Sequence, residues 1–204
     1  MKNATPLRRI GMFGGAFDPP HPAHVTLAQT AISQLQLDML HVIPTGHAWH
    51  KAHNLTSADH RLAMARLAFA ELSPLEVDVR EMKRSGPSFT VDTLRELHQE
   101  NPDAQLYLVL GEDQAHALPT WQRWEELPNL AIICVAARAD AAGVYGRFDA
   151  LEALIPGLVR LKMPIAPISA TEIRQSVAKG HSVAPLVFDS VARYIEQHHL
   201  YQSV

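Results

Sequence analysis

Two histidines three residues apart, His21 and His24, follow paired glycines in the run Gly14-Gly15-Ala16-Phe17-Asp18-Pro19-Pro20-His21-Pro22-Ala23-His24. Imidazoles can donate hydrogen bonds to phosphate oxygens, and glycines let bare N–H groups approach a ligand. The apolar run Arg9-Ile10-Gly11-Met12-Phe13 before them reads as a buried strand. Pro19, Pro20 and Pro22 delay helix until Pro22, a good first helical residue. Val25, Leu27, Ala28, Ala31, Ile32 and Leu35 then recur with a period of about 3.6, as on an amphipathic helix. His24 therefore falls in the first helical turn and His21 just before it. Free N–H groups and the positive end of the helix dipole favour an anion there. The bland alternative is a capping histidine beside a surface one. The strand-loop-helix context and the glycines favour a phosphate-binding, phosphate-activating site. It is neither a Walker loop, since no Gly-Lys-Ser/Thr follows, nor the G-x-G-x-x-G dinucleotide fingerprint.

The elements that must hold this site alternate along the chain. Strands are predicted at 39–43, 75–79, 106–110 and 130–136, with a short last one at 159–161. Between them, Ser57 caps a helix through Phe69, and Thr90 to Leu97 forms another. Ser85 to Ser88 is a turn. Ser169-Ala170-Thr171-Glu172 is a capping box whose helix runs to Lys179 and stops at Gly180. Residues 185–199 form a final amphipathic helix, and residues 139–157 are the least patterned stretch. The fold class is thus α/β: a Rossmann-like, doubly wound parallel sheet with helices on both faces, in one domain over residues 1–204. Ligands in such sheets bind beyond the carboxyl ends of the strands, so the loops at Gly14, Pro44, Gly111 and Ser169 should converge.

Composition narrows the partners. The 204 residues, 47% of them hydrophobic, suffice for one substantial core. A net charge of −3 argues against wrapping nucleic acid or lying on an anionic membrane. Cys134, the only cysteine, sits in an apolar run, which suits a reducing cytoplasm. There is no signal-peptide core, and no apolar run approaches the roughly 18 residues that would span a bilayer.

These residues resemble a known family. Gly15 to His24 looks like the G-[ST]-F-D-P-x-H-x-G-H signature of H-x-G-H nucleotidyltransferases. Ile168-Ser169-Ala170-Thr171-Glu172-Ile173-Arg174 resembles their C-terminal I-S-[ST]-T-x-I-R signature. Ser85 to Leu94 resembles the S-Y-T-x-x-T-L segment of nicotinate-nucleotide adenylyltransferases. Gly111-Glu112-Asp113-Gln114, with Leu118, Trp121 and Trp124, resembles their G-x-D-x-x-x-x-L-x-x-W stretch.

The resemblance implies that ATP and nicotinate mononucleotide give deamido-NAD and pyrophosphate, by in-line attack on the α-phosphorus without a covalent intermediate. It implies catalytic roles for His21, His24, Lys51 and Arg174 on the phosphates. Gly14, Gly15, Phe17, Ile168, Ser169 and Thr171 would contact ATP, with Gly111 and Asp113 at its ribose. Ala16, Phe89, Thr90 and Trp121 would meet the mononucleotide, Trp121 stacking on the pyridine ring. Mg²⁺ would come with ATP, held mostly through phosphates and waters, without a dedicated protein metal site. Neither nucleic acid nor a membrane is implied as a partner, and a homo-oligomer is compatible with the pattern.

The chain departs from the motif in places. Ala23 replaces the usual Gly, Ala16 a hydroxyl residue, and Ala170 a Ser or Thr; only Pro44, His50 and Lys51 carry over from the loop after the second strand. Ser169 could be only a cap and Asp113 only an N-cap. Trp121 and Trp124 could share a helical face, with Trp124 in the core and Trp121 facing ligand. His47-x-x-His50-x-x-His53 has histidines enough for zinc, but no Cys or acidic ligand lies nearby in sequence, which argues against a metal site there. His198-His199 reads as solvated surface. The rival functions are a phosphopantetheine-type adenylyltransferase of the same superfamily, a non-catalytic nucleotide sensor, and a metal hydrolase built on the histidine-rich loop.

Overall fold

The structure is a computed structural model, which describes residues 7–46, 55–138, 149–164 and 168–202. Its first half runs β1 Arg8–Gly15, α1 Pro22–Leu35, β2 Met39–Pro44, α2 Ala58–Phe69, β3 Leu75–Val77, α3 Arg80–Lys83 and α4 Thr90–Glu100. The second half runs β4 Ala104–Leu110, α5 Glu112–Ala117, α6 Leu127–Leu130, β5 Ile132–Arg138, α7 Asp149–Leu154, β6 Val159–Met163, α8 Ala170–Ala178 and α9 Asp189–Gln197. The strands form one sheet in the order β3-β2-β1-β4-β5-β6, and every adjacent pair is parallel. This is the Rossmann-like, doubly wound α/β fold expected from the alternating pattern. The strand order reverses between β1 and β4, so the ligand crevice belongs at their carboxyl ends.

Period-two alternation sorts the strand residues onto two cores. Tyr107, Val109, Cys134 and Ala136 pack with Ala28 and Ala31 of α1 and with Met64, Ala65 and Phe69 of α2. Their neighbours Leu106, Leu108, Leu110, Ile133 and Val135 pack on the other face with Val91, Leu94 and Leu97 of α4. Cys134 is fully buried, and burial pushes its thiol up to about 12, leaving it protonated and inert. Gly11 has a packing reason to lack a side chain: a Cβ there would lie 2.6 Å from a Leu37 methyl and 2.7 Å from one of Leu40.

Local signals hold where the sequence carries them. Ser57 caps α2 by accepting from His60 N–H at 3.4 Å. The box at Ser169 closes with Glu172 N–H donating to Ser169 Oγ at 3.2 Å and Ser169 N–H donating to Glu172 Oε2 at 3.1 Å. Gly180 takes φ +75° just past α8. Other expectations need correction. The strand predicted over 75–79 pairs only through Val77. The last helix begins at Asp189 rather than 185, because Phe188 is extended and serves as its N-cap. Trp121 and Trp124 do not share a helical face: Trp121 is extended (ψ 150°), and Arg123 at φ +54° breaks the chain before a short 3₁₀ turn begins at Trp124. Asp113 lies inside α5, whose N-cap is Gly111. His198 is exposed, yet it packs on Tyr194 with ring centroids 4.2 Å apart.

Candidate active site

The glycine loop leaves β1 at the reversal point. Thr45 N–H donates to the Gly15 carbonyl at 2.8 Å, joining this loop to the end of β2. Phe17 is the sharpest point of the turn: a buried aromatic residue at φ +49°, in a region non-glycine residues seldom enter. Its ring is held edge-on against Phe13, Phe69 and His24, with centroids 5.4, 5.6 and 5.2 Å away. The chain then passes through a cis Asp18–Pro19 peptide and starts α1 at Pro22, with His21 as N-cap.

The two imidazoles lie together. Their rings stack at 3.8 Å between centroids with 30° between planes. His21 N–H donates to His24 Nδ1 at 3.2 Å. In the neutral ring that bond leaves the proton on His24 Nε2, which makes Nε2 a donor suited to a phosphate oxygen. His21 is buried, and His24 is partly exposed on the first turn of a 14-residue helix. Tautomer, helix dipole and first-turn amides all favour an anion at this point.

Arg174 brings the C-terminal signature to this loop. Its guanidinium donates to the Asp18 carbonyl at 2.8 Å and to Thr171 Oγ1 at 3.3 Å. Thr171 and Ser169 are exposed at the start of α8, with Ile168 half-buried before them. The Ser169 hydroxyl also donates to Glu172 Oε2 at 2.9 Å, so its side chain works as a cap in this structure. Gly111 ends β4 beside β1, with open space where a side chain would project, and Asp113 is exposed just beyond it. Phe89 is the N-cap of α4, Thr90 its first residue, and Phe89 and Trp121 pack, partly buried, on the same core cluster. Trp124 packs there too, so burial does not separate the two tryptophans. Gly14 and Ala16 are partly exposed along the loop. Lys51, with His47, His50 and His53, lies outside the described residues.

Two residues given no role by the sequence reading organise the loop. Arg61 is only 2% exposed. It donates to the carbonyls of Thr56 at 2.9 Å, Ala16 at 3.0 Å and Gly46 at 3.1 Å, tying together the segments after β1, after β2 and before α2. Burial lowers its pKa and Asp18 opposes that shift. Gly46 must be glycine, since a Cβ would lie 2.1 Å from the Glu81 carbonyl oxygen. Asp18, 4% exposed, accepts from Thr56 N–H at 3.1 Å and from the Tyr201 hydroxyl at 2.6 Å. Arg61 was detectable in principle: with Met64, Ala65 and Ala68 it forms the i, i+3, i+4, i+7 stripe that α2 buries.

The fold and the sequence together define a nucleotidyltransferase. A family model described as cytidylyltransferase-like matches residues 12–176. Within that class, the chain belongs to the nicotinate-nucleotide adenylyltransferase family. A relative from Albidiferax ferrireducens named "Probable nicotinate-nucleotide adenylyltransferase" is 56% identical over 197 residues, covering 97% of this chain and all of that one. Another of the same name from Methylibium petroleiphilum is 42% identical over 211 residues, covering 98% and 95%. The fold is also that of Plasmodium falciparum nicotinic acid mononucleotide adenylyltransferase, solved in complex with NaAD: TM-score 0.78 at 21% identity, covering 95% of this chain and 97% of that one.

Proposed function

We propose that this chain transfers the adenylyl group of ATP to nicotinate mononucleotide, releasing pyrophosphate and deamido-NAD. One observation carries the reading: Arg174 is bound to the Asp18 carbonyl of the loop that presents His21 and His24. That arrangement brings a fixed cation and an imidazole pair to a helix N-terminus at the reversal point of the sheet, where phosphates bind.

The chemistry asks for positioning and charge neutralisation. The mononucleotide phosphate is already ionised at neutral pH, so no general base is required. In-line attack on the α-phosphorus builds charge on the α-phosphoryl oxygens and the departing pyrophosphate. His24 Nε2–H and His21 donate to those oxygens. Arg174 and Lys51 neutralise the leaving group, with Thr171 and the first-turn amides of α8 beside it. Among the described residues, no three of His, Cys, Asp or Glu come together where a metal ion could sit. In this reading Mg²⁺ would arrive on ATP and would supply further neutralisation of the phosphates. Gly111 leaves room for the adenosine ribose. Phe89 and Thr90, at the α4 N-terminus, offer backbone N–H groups to the nicotinate carboxylate. Those donors favour the acid over the amide, because a carboxylate only accepts.

Among the described residues no helix is long and apolar enough to cross a membrane. With one buried cysteine and a net charge of −3, the reading is of a cytoplasmic enzyme acting on small nucleotides without nucleic acid. The test is pyrophosphate release from ATP and Mg²⁺ with nicotinate mononucleotide, nicotinamide mononucleotide and phosphopantetheine offered side by side. Strong preference for the nicotinate acceptor is expected. Activity with phosphopantetheine alone would discard the nicotinate assignment, and silence with all three would favour a nucleotide sensor.

A further inference from the structure

The C-terminal turn after α9 reaches back into the loop that carries the histidines. α9 ends in a Schellman turn: His199 N–H donates to the Glu196 carbonyl at 3.1 Å and Leu200 N–H to the Ile195 carbonyl at 3.0 Å, with His199 at φ +50°. Tyr201 follows at φ +63°, a second left-handed residue, so the chain twice adopts an unfavourable conformation within three residues. The result is that the Tyr201 hydroxyl meets Asp18 Oδ1 at 2.6 Å, across 183 positions of sequence, with the Met64 sulfur 3.9 Å away.

From this geometry we infer that Tyr201 is a positioning residue for adenylyl transfer, acting through Asp18 to hold the loop that presents His21 and His24. The inference rests on the reaction proposed above. Asp18 is the junction of the loop: its two carboxylate oxygens accept from Tyr201 and from Thr56 N–H, and its carbonyl accepts from Arg174. Phe17 beside it is held at φ +49°, a conformation that persists only where the surroundings over-determine it. Removing one donor from a buried carboxylate leaves that oxygen unsatisfied and invites the loop to rearrange. Burial, with Asp18 close by, raises the Tyr201 pKa, so the hydroxyl stays a donor. Tyr201 sits behind Asp18 and acts on the histidines through the loop backbone.

The test compares Tyr201→Phe with Tyr194→Phe, which removes from α9 a hydroxyl 3.0 Å from His60 Nδ1, outside this network. Amide hydrogen exchange is measured at Thr56, Phe17, Asp18, His21, Ala23 and His24 in the ligand-free protein, and kcat and KM where wild type turns over. Tyr201→Phe should speed exchange at those amides while β4 and β5 stay protected. It should lower kcat about tenfold or more with KM much less changed, because a small misplacement is felt most in the transition state. Tyr194→Phe should alter neither. In the Asp18→Asn background, Tyr201→Phe should cost little further kcat, since the two act as one unit. Unchanged loop exchange in Tyr201→Phe, or an equal loss in Tyr194→Phe, would overturn the inference. An inactive wild-type protein would refute the reaction, while the exchange measurement would still decide whether Tyr201 holds the loop.

Discussion

His24 shows how much of the site rests on single atoms. Its Nδ1 accepts from His21 N–H at 3.2 Å, which directs its proton to Nε2, the donor that the proposed phosphate contact requires. His24→Ala is expected to lower kcat by about a hundredfold or more, the scale of losing one preorganised donor to a developing charge, while circular dichroism stays native. Near-normal turnover would remove His24 from the mechanism. Arg61 works differently. It satisfies three carbonyls from inside the core and touches no proposed substrate atom. Arg61→Met should destabilise the fold by about 3 kcal/mol or more, since three carbonyls lose their donor and each costs about 1–3 kcal/mol when left unsatisfied in the interior. Urea denaturation checks this, and an unchanged midpoint would show that water replaces the guanidinium. The histidines were legible because two imidazoles, paired glycines and a helix start fall within eleven residues. The role of Asp18 was not, because Tyr201 lies 183 positions away and no local pattern encodes such a contact.

At the scale of elements, the long segments were legible and the short ones were not. The strands β1, β2, β4 and β5 are continuous apolar runs, and the helices α1, α2 and α4 repeat an apolar face over three turns or more. The helices α3, α5 and α6 have four to six residues, too few to express a helical period. The same limit misplaced Trp121 and Trp124, whose spacing fits one helix face while Arg123 at φ +54° separates them. Helix ends offer a clean test of the local physics. Gln36 closes α1 at φ +49°, exposed, with its N–H and that of Leu37 both donating to the Ile32 carbonyl. Glycine adopts that conformation without a Cβ clash, so Gln36→Gly should stabilise the protein by about 0.5–1 kcal/mol. A lower thermal midpoint would mean that chain entropy in the unfolded state outweighs the relieved strain.

For the whole molecule, the sheet reversal between β1 and β4 places the loops after both strands at one end of the sheet, where the proposed site residues from Gly14 to Arg174 would share a crevice. A buried carboxyl on α3 shapes how the entire fold responds to pH. Glu81 is 6% exposed and accepts from Thr93 Oγ1 at 2.9 Å, and burial raises its pKa. The folded state therefore keeps its proton where the unfolded chain has lost it. This contribution is intact below the ordinary carboxylate pKa and is lost as pH rises toward the raised folded value. Glu81→Gln retains an acceptor for Thr93 and removes that slope. The variant should gain stability relative to wild type as pH rises through this window, read from urea midpoints at several pH values. A constant difference between the two proteins would show that Glu81 titrates alike in both states.

The proposed reaction is direct adenylyl transfer between two substrates held by one loop and two helix starts, with no protein nucleophile. The stereochemical course at phosphorus tests it most directly, using ATP made chiral at the α-phosphate with nicotinate mononucleotide and Mg²⁺. A single in-line displacement should give a dinucleotide inverted at that phosphorus. Retention would demand two displacements through a covalent adenylyl-enzyme and would contradict it.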